Sequence, residues 1–178
     1  GKLPCCWVLE LSSFQLETTQ TLFPDSAVVL NISEDHFDRY NGLEDYASAK
    51  ARVFISNTGS TQILNRDDTS VLAMALSDKK QITFGLSEPS RDIDFGLLES
   101  DSALWLVEGK KQLLEANELK IPGMHNVANA LAALALCRSV GLPYEPLVEV
   151  LRKFKGLPHR MQKVATIQGV EYYDDSKS

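Results

Sequence analysis

The 178-residue chain lacks the features that mark several classes of protein. No apolar run approaches the roughly 20 residues needed to cross a bilayer, and no internal repeat suggests a solenoid. No stripe of lysine and arginine predicts a nucleic-acid partner, and 24 acidic residues outnumber 18 basic ones. The chain does not open with a basic segment followed by an apolar one, which argues against a secretory signal.

Cysteine is also scarce, with three residues in the chain. Cys5 and Cys6 are adjacent and badly placed to bridge each other, and Cys137 lies in a run rich in alanine and leucine. An odd count without a disulfide framework predicts reduced thiols in a reducing compartment. We interpret all three as small, buried hydrophobic side chains.

The phosphate-binding pattern G-x-x-x-x-G-K-[ST] does not occur in these residues. The pairs Gly1-Lys2 and Gly109-Lys110 lack both the loop and the hydroxyl residue that should follow. The chain by itself therefore has no P-loop to cradle a phosphate.

The composition that is present, 44% hydrophobic and 24% charged, is ordinary for a globular protein. The length fits one domain that can bury a real core. Continuous apolar runs predict strands at 7–11, 27–32, 62–65 and 82–85. Periodicity and stop signals predict helices at 45–56, 69–76, 125–140 and 143–154.

The pattern of apolar residues changes in the middle of the chain. Residues 94–119 hold short apolar stretches, two of them separated by a turn at Gly109, which predicts an antiparallel meander. Strands at 163–167 and 170–173 are expected to pair with each other. The whole pattern predicts an α/β fold, a doubly wound and mostly parallel sheet flanked by helices, with the small meander inserted. Ligands of such sheets bind outside the carboxyl ends of the strands.

Acidic residues and a histidine stand near the ends of two predicted strands. An isolated carboxylate at Glu10 would be costly to bury, and a metal or a cation would offset that cost. Position alone slightly favours an edge-strand Glu10 that faces water. Asp35 and His36 follow the second strand and could bind a metal or transfer protons. Asp35 suits a helix N-terminus equally well, whereas His36 would share a sheet edge with Glu10.

Lys50 falls on an apolar helix face, at helical spacing from Tyr46, Val53 and Phe54. A lysine that points inward needs a carboxylate, a phosphate or a chemical modification. Snorkelling of the side chain toward water is the commoner explanation.

Amide and charged side chains mark the last third of the chain. Asn126 and Asn129 lie three residues apart on one helix face and could read the edge of a nucleobase, although capping would explain one of them. Arg160 could hold phosphate oxygens in a planar fork, and Asp175 and Lys177 follow a predicted strand. Each of these charged residues could equally be a solvated surface residue.

Five motifs in order resemble those of the Mur ligases, and the resemblance runs from end to end. The motifs are ELSSFQLE at 10–17, LNISEDHFDRY at 30–40, YASAK at 46–50, HNVANALAA at 125–133, and GLPHR at 156–160 with DDSK at 174–177. Within the family, Phe14 is typical of the member that adds D-glutamate. The sibling that extends the chain after D-glutamate tends to carry histidine there, and folylpolyglutamate synthases lack the Ser-Ser-Phe-Gln string.

The resemblance implies an ATP-dependent amide ligase of cytoplasmic peptidoglycan synthesis. Its partners would be UDP-N-acetylmuramoyl-L-alanine and D-glutamate, joined through an acyl phosphate. It also implies that Glu10 and His36 help to hold two Mg²⁺ ions. Lys50 is expected as a carbamate that bridges or orients the metal, since hard Mg²⁺ prefers oxygen ligands. Lys50, His36 and Lys177 are the catalytic residues that it implies.

The remaining roles implied by the resemblance concern ATP and the uridine-linked substrate. Asn126 and Asn129 would contact adenine, and Arg160 and Asp175 would lie near the phosphates and ribose. Lys177 would reach phosphate or the uridine-linked substrate, near which Ser12 would also lie.

Family members have three domains, and residues 1–178 resemble most of the central, ATP-binding one. The strand with the P-loop and the C-terminal domain that brings D-glutamate are then expected outside this sequence. We therefore expect the isolated chain to be inactive and the full-length protein to be monomeric. The alternatives are a related Mur ligase, a ligase like folylpolyglutamate synthase, or a noncatalytic nucleotide-binding module.

Overall fold

A six-stranded sheet forms the centre of the computed structural model, which describes residues 4, 6–33, 39–55 and 59–177. The strands lie in the order of the chain. They are β1 (Ser26–Val29), β2 (Thr61–Asn65), β3 (Lys80–Phe84), β4 (Phe95–Ser100), β5 (Ala103–Glu108) and β6 (Lys111–Glu115). The first four run parallel, and β4 to β6 form the predicted antiparallel meander, which extends the sheet at one side.

Helices cover both faces of this sheet. They are α1 (Ser13–Thr18), α2 (Leu43–Ala51), α3 (Thr69–Leu72), α4 (Met124–Ser139) and α5 (Tyr144–Lys153). On one face, Leu131 and other apolar residues of α4 pack over Ile63 and Phe84. On the other face, Leu64 packs with Phe54 and Val71. Successive residues of β2 thus point into opposite cores, which is why this strand reads as a continuous apolar run. The doubly wound α/β prediction is confirmed.

The prediction of a strand at 7–11 is wrong. That segment pairs with no strand among the described residues, and Trp7 and Val8 are 72% and 91% exposed. An apolar run becomes a strand only when a neighbouring backbone satisfies its hydrogen bonds, and hydropathy alone does not supply that neighbour. Cys6, in the same segment, is exposed rather than buried, and Cys137 is half-buried.

Other predicted elements are shorter than expected. The helix predicted at 45–56 is α2 followed by a 3₁₀ turn at Arg52–Phe54, and the strand predicted at 27–32 ends at Val29. Just beyond Val29, the side chains of Asn65 and Asp68 form hydrogen bonds with the backbone of Leu30 and Ile32, where a neighbouring strand would otherwise do so.

The last two strands stand apart from the main sheet. Strands β7 (Gln162–Ile167) and β8 (Val170–Asp174) form a separate antiparallel hairpin, close to the predicted positions. The stretch 154–161 connects α5 to this hairpin. Among the described helices, none is both long and apolar enough to cross a membrane.

Candidate functional site

The Ser-Ser-Phe-Gln string starts helix α1. Ser12 is the N-cap residue, and its hydroxyl accepts a hydrogen bond from the backbone N–H of Gln15 at 3.3 Å. The side-chain oxygen of Gln15 accepts in return from the backbone N–H of Ser12 at 2.9 Å. This reciprocal capping box satisfies N–H groups that a helix start leaves unpaired. The exposed Ser12 hydroxyl thus has a structural role, and its contact with substrate stays a prediction.

Three aromatic rings connect helix α1 to Lys50 on helix α2. The Phe14 and Tyr40 rings are stacked at 6.1 Å between centroids, and the Tyr40 and Tyr46 rings meet at 5.3 Å. Cations lie over both ends, with Arg39 4.9 Å from the Phe14 centroid and Lys50 Nζ 5.1 Å from that of Tyr46. We call these three rings the aromatic ladder. It joins three motifs that are separate in the sequence.

Lys50 is half-buried, and the helix face predicted to point inward does so. Tyr46 and Phe54 on that face are buried, at 6% and 2% exposure. The ammonium lies on the Tyr46 ring, a favourable cation–π contact. Within the described part of the chain, Lys50 forms no ion pair. Its carbamylation stays a prediction.

Arg39 also forms an ion pair with Glu17 at the outer end of the aromatic ladder. The hydrogen bond from Arg39 lowers the pKa of Glu17, and the same contact raises the pKa of Arg39. Burial raises the pKa of Tyr40 in the middle of the ladder. At neutral pH this end of the site therefore holds one fixed anion, one fixed cation and a neutral phenol.

The predicted metal ligands are placed only in part. Glu10 is exposed, on the segment that forms no strand, and His36 lies outside the described residues. Across the described ranges, no three His, Cys, Asp or Glu side chains lie together as a metal site. The donor chemistry nevertheless fits Mg²⁺, because the Glu10 carboxylate supplies hard oxygen ligands and a carbamate on Lys50 would add more.

The paired asparagines begin helix α4, as predicted. The Asn126 amide donates to the Pro122 carbonyl at 2.7 Å, so this side chain anchors the loop before the helix. Asn129 is exposed one turn further along. Gly123, the N-cap residue, has φ of +99°, and a Cβ there would lie 2.6 Å from the His125 ring. Local capping thus accounts for Asn126, and Asn129 faces solvent.

Hydrogen bonds at the base of the hairpin hold residues 157–161 to the end of β8 and the residues after it, 174–177. The backbone N–H of Met161 donates to Asp175 Oδ1 at 3.0 Å, and that of Lys177 donates to the His159 carbonyl at 3.1 Å. Exposed Arg160 lies between His159 and Met161. The structure therefore brings Arg160, Asp175 and Lys177 to one place. No hydrogen bond between described residues links this group to the asparagines of α4.

His159 and Asp174 are site residues that sequence reasoning left without a role. His159 Nδ1 lies 2.7 Å from Asp174 Oδ2, and His159 has a φ of +64°, which is uncommon for a residue other than glycine. The Asp174 carboxylate also accepts from the backbone N–H of Ser176 at 3.1 Å. His159 lies in the GLPHR motif and Asp174 in the DDSK motif. Their pairing depends on the register of the hairpin, which the spacing of the two motifs in the sequence does not reveal.

The hydrogen bond from His159 lowers the pKa of Asp174, with further lowering from Ser176. The stabilisation is therefore present at neutral pH and is lost as the pH falls through the lowered pKa. We expect His159→Ala to raise the Asp174 pKa toward its ordinary value, measured by NMR titration of the carboxyl carbon.

A second carboxylate in the hairpin provides the control for that titration. Lys163 lowers the pKa of Glu171, and this contact does not involve His159. The Glu171 pKa should thus stay low in His159→Ala. An unchanged Asp174 pKa would contradict the assigned cause.

A further polar group was missed at the carboxyl end of β2, where the chain reads Asn65-Arg66-Asp67-Asp68. The Arg66 guanidinium donates to the carbonyls of Gly85, Ser87 and Phe95. Asp67 and Asp68 accept from backbone N–H groups of neighbouring segments. The rule that polar residues after a parallel strand lie at the ligand edge could have identified this group.

The fold defines a doubly wound α/β domain, with a group of polar side chains after β2 at the edge of the sheet where ligands of such domains bind. The family model described as the Mur ligase middle domain matches residues 5–137. The chain belongs to that family.

Known proteins of this family match the whole chain or nearly all of it. UDP-N-acetylmuramoylalanine–D-glutamate ligase of Nitrosomonas europaea is 62% identical over 180 residues, covering 100% of this chain and 38% of that protein. The crystal structure of MurF from Acinetobacter baumannii superposes with a TM-score of 0.72 at 21% identity, over 92% of this chain and 35% of the other, which shows the fold alone. UDP-N-acetylmuramate-alanine ligase MurC of Thermotoga maritima gives a TM-score of 0.67 at 26% identity, with coverage of 92% and 36%. The chain thus spans under two fifths of the length of these proteins.

Proposed function

We propose that the chain is the central part of an ATP-dependent amide ligase that adds D-glutamate to UDP-N-acetylmuramoyl-L-alanine. The observation that supports this is the 62% identity, along the entire chain, to a relative with that ligase name. The reaction belongs to cytoplasmic peptidoglycan synthesis, on which cell shape and division depend. The residues 1–178 form a partial central domain, and the full-length protein acts as a monomer.

The chemistry requires several anions to meet. ATP phosphorylates the substrate carboxylate to an acyl phosphate, the D-glutamate amine attacks the acyl carbon, and the tetrahedral intermediate collapses with loss of phosphate. Mg²⁺ would supply the positive charge that brings these groups together. Glu10, His36 and carbamylated Lys50 are the residues that would hold it.

The other residues of the chain bind and orient ATP and the uridine-linked substrate. Asn129, which is exposed on α4, contacts adenine. The Asn126 NH₂ group holds the loop before α4 by its bond to the Pro122 carbonyl, and the Asn126 amide oxygen contacts adenine. Arg160, Asp175 and Lys177 lie together at the base of the hairpin, where their charges suit the phosphates and ribose of ATP.

The test is phosphate release by the full-length protein. We expect turnover that requires ATP, UDP-N-acetylmuramoyl-L-alanine and D-glutamate, and none when meso-diaminopimelate or lysine replaces D-glutamate. Turnover with one of these instead would favour a related Mur ligase, and binding of ATP without turnover would favour a noncatalytic module.

The isolated chain provides the companion measurement. We expect residues 1–178 alone to release no phosphate under the same conditions, because they contain no P-loop to hold the transferred phosphoryl group. Clear turnover by the isolated chain would contradict this expectation.

A further inference from the structure

A four-residue turn carries Arg160 at the base of the hairpin. The backbone N–H of Arg160 donates to the Leu157 carbonyl at 3.3 Å, which closes the turn, and Pro158 occupies its second position. His159, in the third position, has a φ of +64°. A positive φ at that position is typical of a type II turn, where glycine is the usual residue because it has no Cβ to strain the left-handed backbone. Contacts from outside the turn must therefore hold His159 in this conformation.

Three such hydrogen bonds hold His159. Its ring Nδ1 lies 2.7 Å from Asp174 Oδ2, its backbone N–H donates to Gln162 Oε1 at 3.1 Å, and its carbonyl accepts from the Lys177 N–H at 3.1 Å. Asp174 is itself fixed, because its Oδ1 accepts from the backbone N–H of Ser176 at 3.1 Å. The backbone N–H and carbonyl of His159 thus both have partners, and its ring binds a carboxylate that is held in place.

Met161, on the other side of Arg160, has a similar conformation. Its φ is +43°, and its backbone N–H donates to Asp175 Oδ1 at 3.0 Å. Exposed Arg160 therefore lies between two residues with left-handed backbone, each held by one of two adjacent aspartates at the end of β8. Conformations of this kind persist only where the surrounding contacts determine them fully, and they cluster at binding and active sites.

We propose that His159 is a positioning residue for Arg160, because its bond to Asp174 fixes the strained turn from which the exposed Arg160 side chain extends. The inference rests on the proposed function, in which Arg160 holds phosphate oxygens of ATP. A guanidinium forms two parallel hydrogen bonds with a phosphate, and these require a defined orientation. A backbone that is already fixed loses less conformational freedom when ATP binds, so the same contacts give a higher affinity.

Two substitutions at position 159 separate the backbone conformation from the side-chain bond. Glycine adopts a positive φ without strain, but it has no side chain to bind Asp174. Asparagine also tolerates the left-handed conformation, and its short amide can donate to Asp174 from near the position of the histidine Nδ1. His159→Gly therefore removes only the bond, whereas His159→Asn keeps it.

The test measures the affinity of the full-length protein for ATP, with Mg²⁺ present, by calorimetry. We expect His159→Gly to weaken ATP binding by about tenfold, within the range of coupling between residues in contact, and His159→Asn to recover most of the loss. Lys163→Ala is the matched control, because it breaks an exposed pair with Glu171 on the same hairpin. Its ATP affinity should stay within about twofold of the wild type.

Two further measurements determine whether the effect passes through Arg160. In the Arg160→Ala background, His159→Gly should cause little further loss of ATP affinity. Adenosine has no phosphate for Arg160 to hold, so the wild type and His159→Gly should bind it equally well. Equal ATP affinities in the wild type and His159→Gly would overturn the proposal and leave His159 a purely structural residue. So would additive losses in the double variant, or an equal loss of affinity for adenosine.

Failure of the proposed function would give a different result. In that case the wild-type protein would bind ATP but release no phosphate in the presence of all three substrates. The ATP titrations require no turnover, so they decide the role of His159 in that case as well. A wild-type protein that binds no ATP would overturn both.

Discussion

Replacing Lys50 with arginine in the full-length protein is expected to lower kcat by about 10²–10³-fold, the effect typical of removing one group that stabilises the transition state. Arginine keeps the positive charge and a long side chain, but its guanidinium cannot take up CO₂ to form the expected carbamate. The loss would therefore report the modification itself rather than the bulk or charge of the side chain.

The measurement is the steady-state rate at saturating substrates, together with ¹³C NMR of protein equilibrated with labelled bicarbonate. The wild type should show a carbamate carbon that Lys50→Arg lacks. Lys153→Arg provides the matched control, because Lys153 is exposed on α5 and pairs with Glu149 at the surface. Unchanged turnover in Lys50→Arg would exclude a catalytic carbamate.

The contact with Tyr46 adds a structural consequence to this prediction. A ring face attracts the Lys50 ammonium, as observed at 5.1 Å, but it repels an anion. Formation of the carbamate would therefore move the end of the Lys50 side chain off the Tyr46 ring. A magnesium-loaded crystal structure should show a planar three-atom group beyond Nζ, and a bare amine there would contradict the carbamate.

The second large effect is expected at Arg66, where alanine should destabilise the connection between β3 and β4 by about 3 kcal/mol, since hydrogen bonds to charged groups are worth roughly 1.5–3 kcal/mol each. The guanidinium donates to the carbonyls of Gly85, Ser87 and Phe95, and its Nε donates to the Ser87 hydroxyl at 3.1 Å. Partial burial lowers the pKa of Arg66, but the guanidinium remains charged at any physiological pH. Its removal takes one donor from each of these carbonyls, of which that of Ser87 keeps a bond from the Leu97 N–H at 3.1 Å.

Hydrogen–deuterium exchange of peptides that cover β3 and β4 measures this local opening in the full-length protein. Arg66→Lys should recover only part of the protection, because one ammonium cannot match the planar fork. Arg152→Ala is the control, since Arg152 pairs with Glu118 near the surface and such pairs contribute about 0–1 kcal/mol. Equal exchange in Arg66→Ala and the wild type would refute the anchoring role.

Periodicity and apolar runs predicted most of the fold. Helix α4 was placed to within a residue because Gly123 and Gly141 bracket its apolar periodicity. Strand β2 was predicted from a run whose side chains fill both cores. These signals are local. In a helix or strand the side chains face the core at a fixed spacing along the chain, and the apolar residues of the sequence recur at that same spacing.

The residues of the candidate site could be predicted from sequence motifs, but the distances and contacts between them could not. The hairpin-base residues Arg160, Asp175 and Lys177 were named from sequence, and the structure places them together. The role of Lys50 in the site stays a prediction. Helical spacing placed Lys50 on an apolar helix face, pointing inward or snorkelling, and the structure shows it half-buried with its ammonium on the Tyr46 ring.

The sequence by itself determined the α/β class, the order of most elements and the family motifs, since each depends on residues close together in the chain. Only the tertiary structure decided which distant groups meet. It excluded a strand at 7–11 and built the aromatic ladder from three segments. It also directed Asp68 to a backbone N–H 36 residues away. Such contacts depend on strand order and register, which set distances that no local pattern encodes.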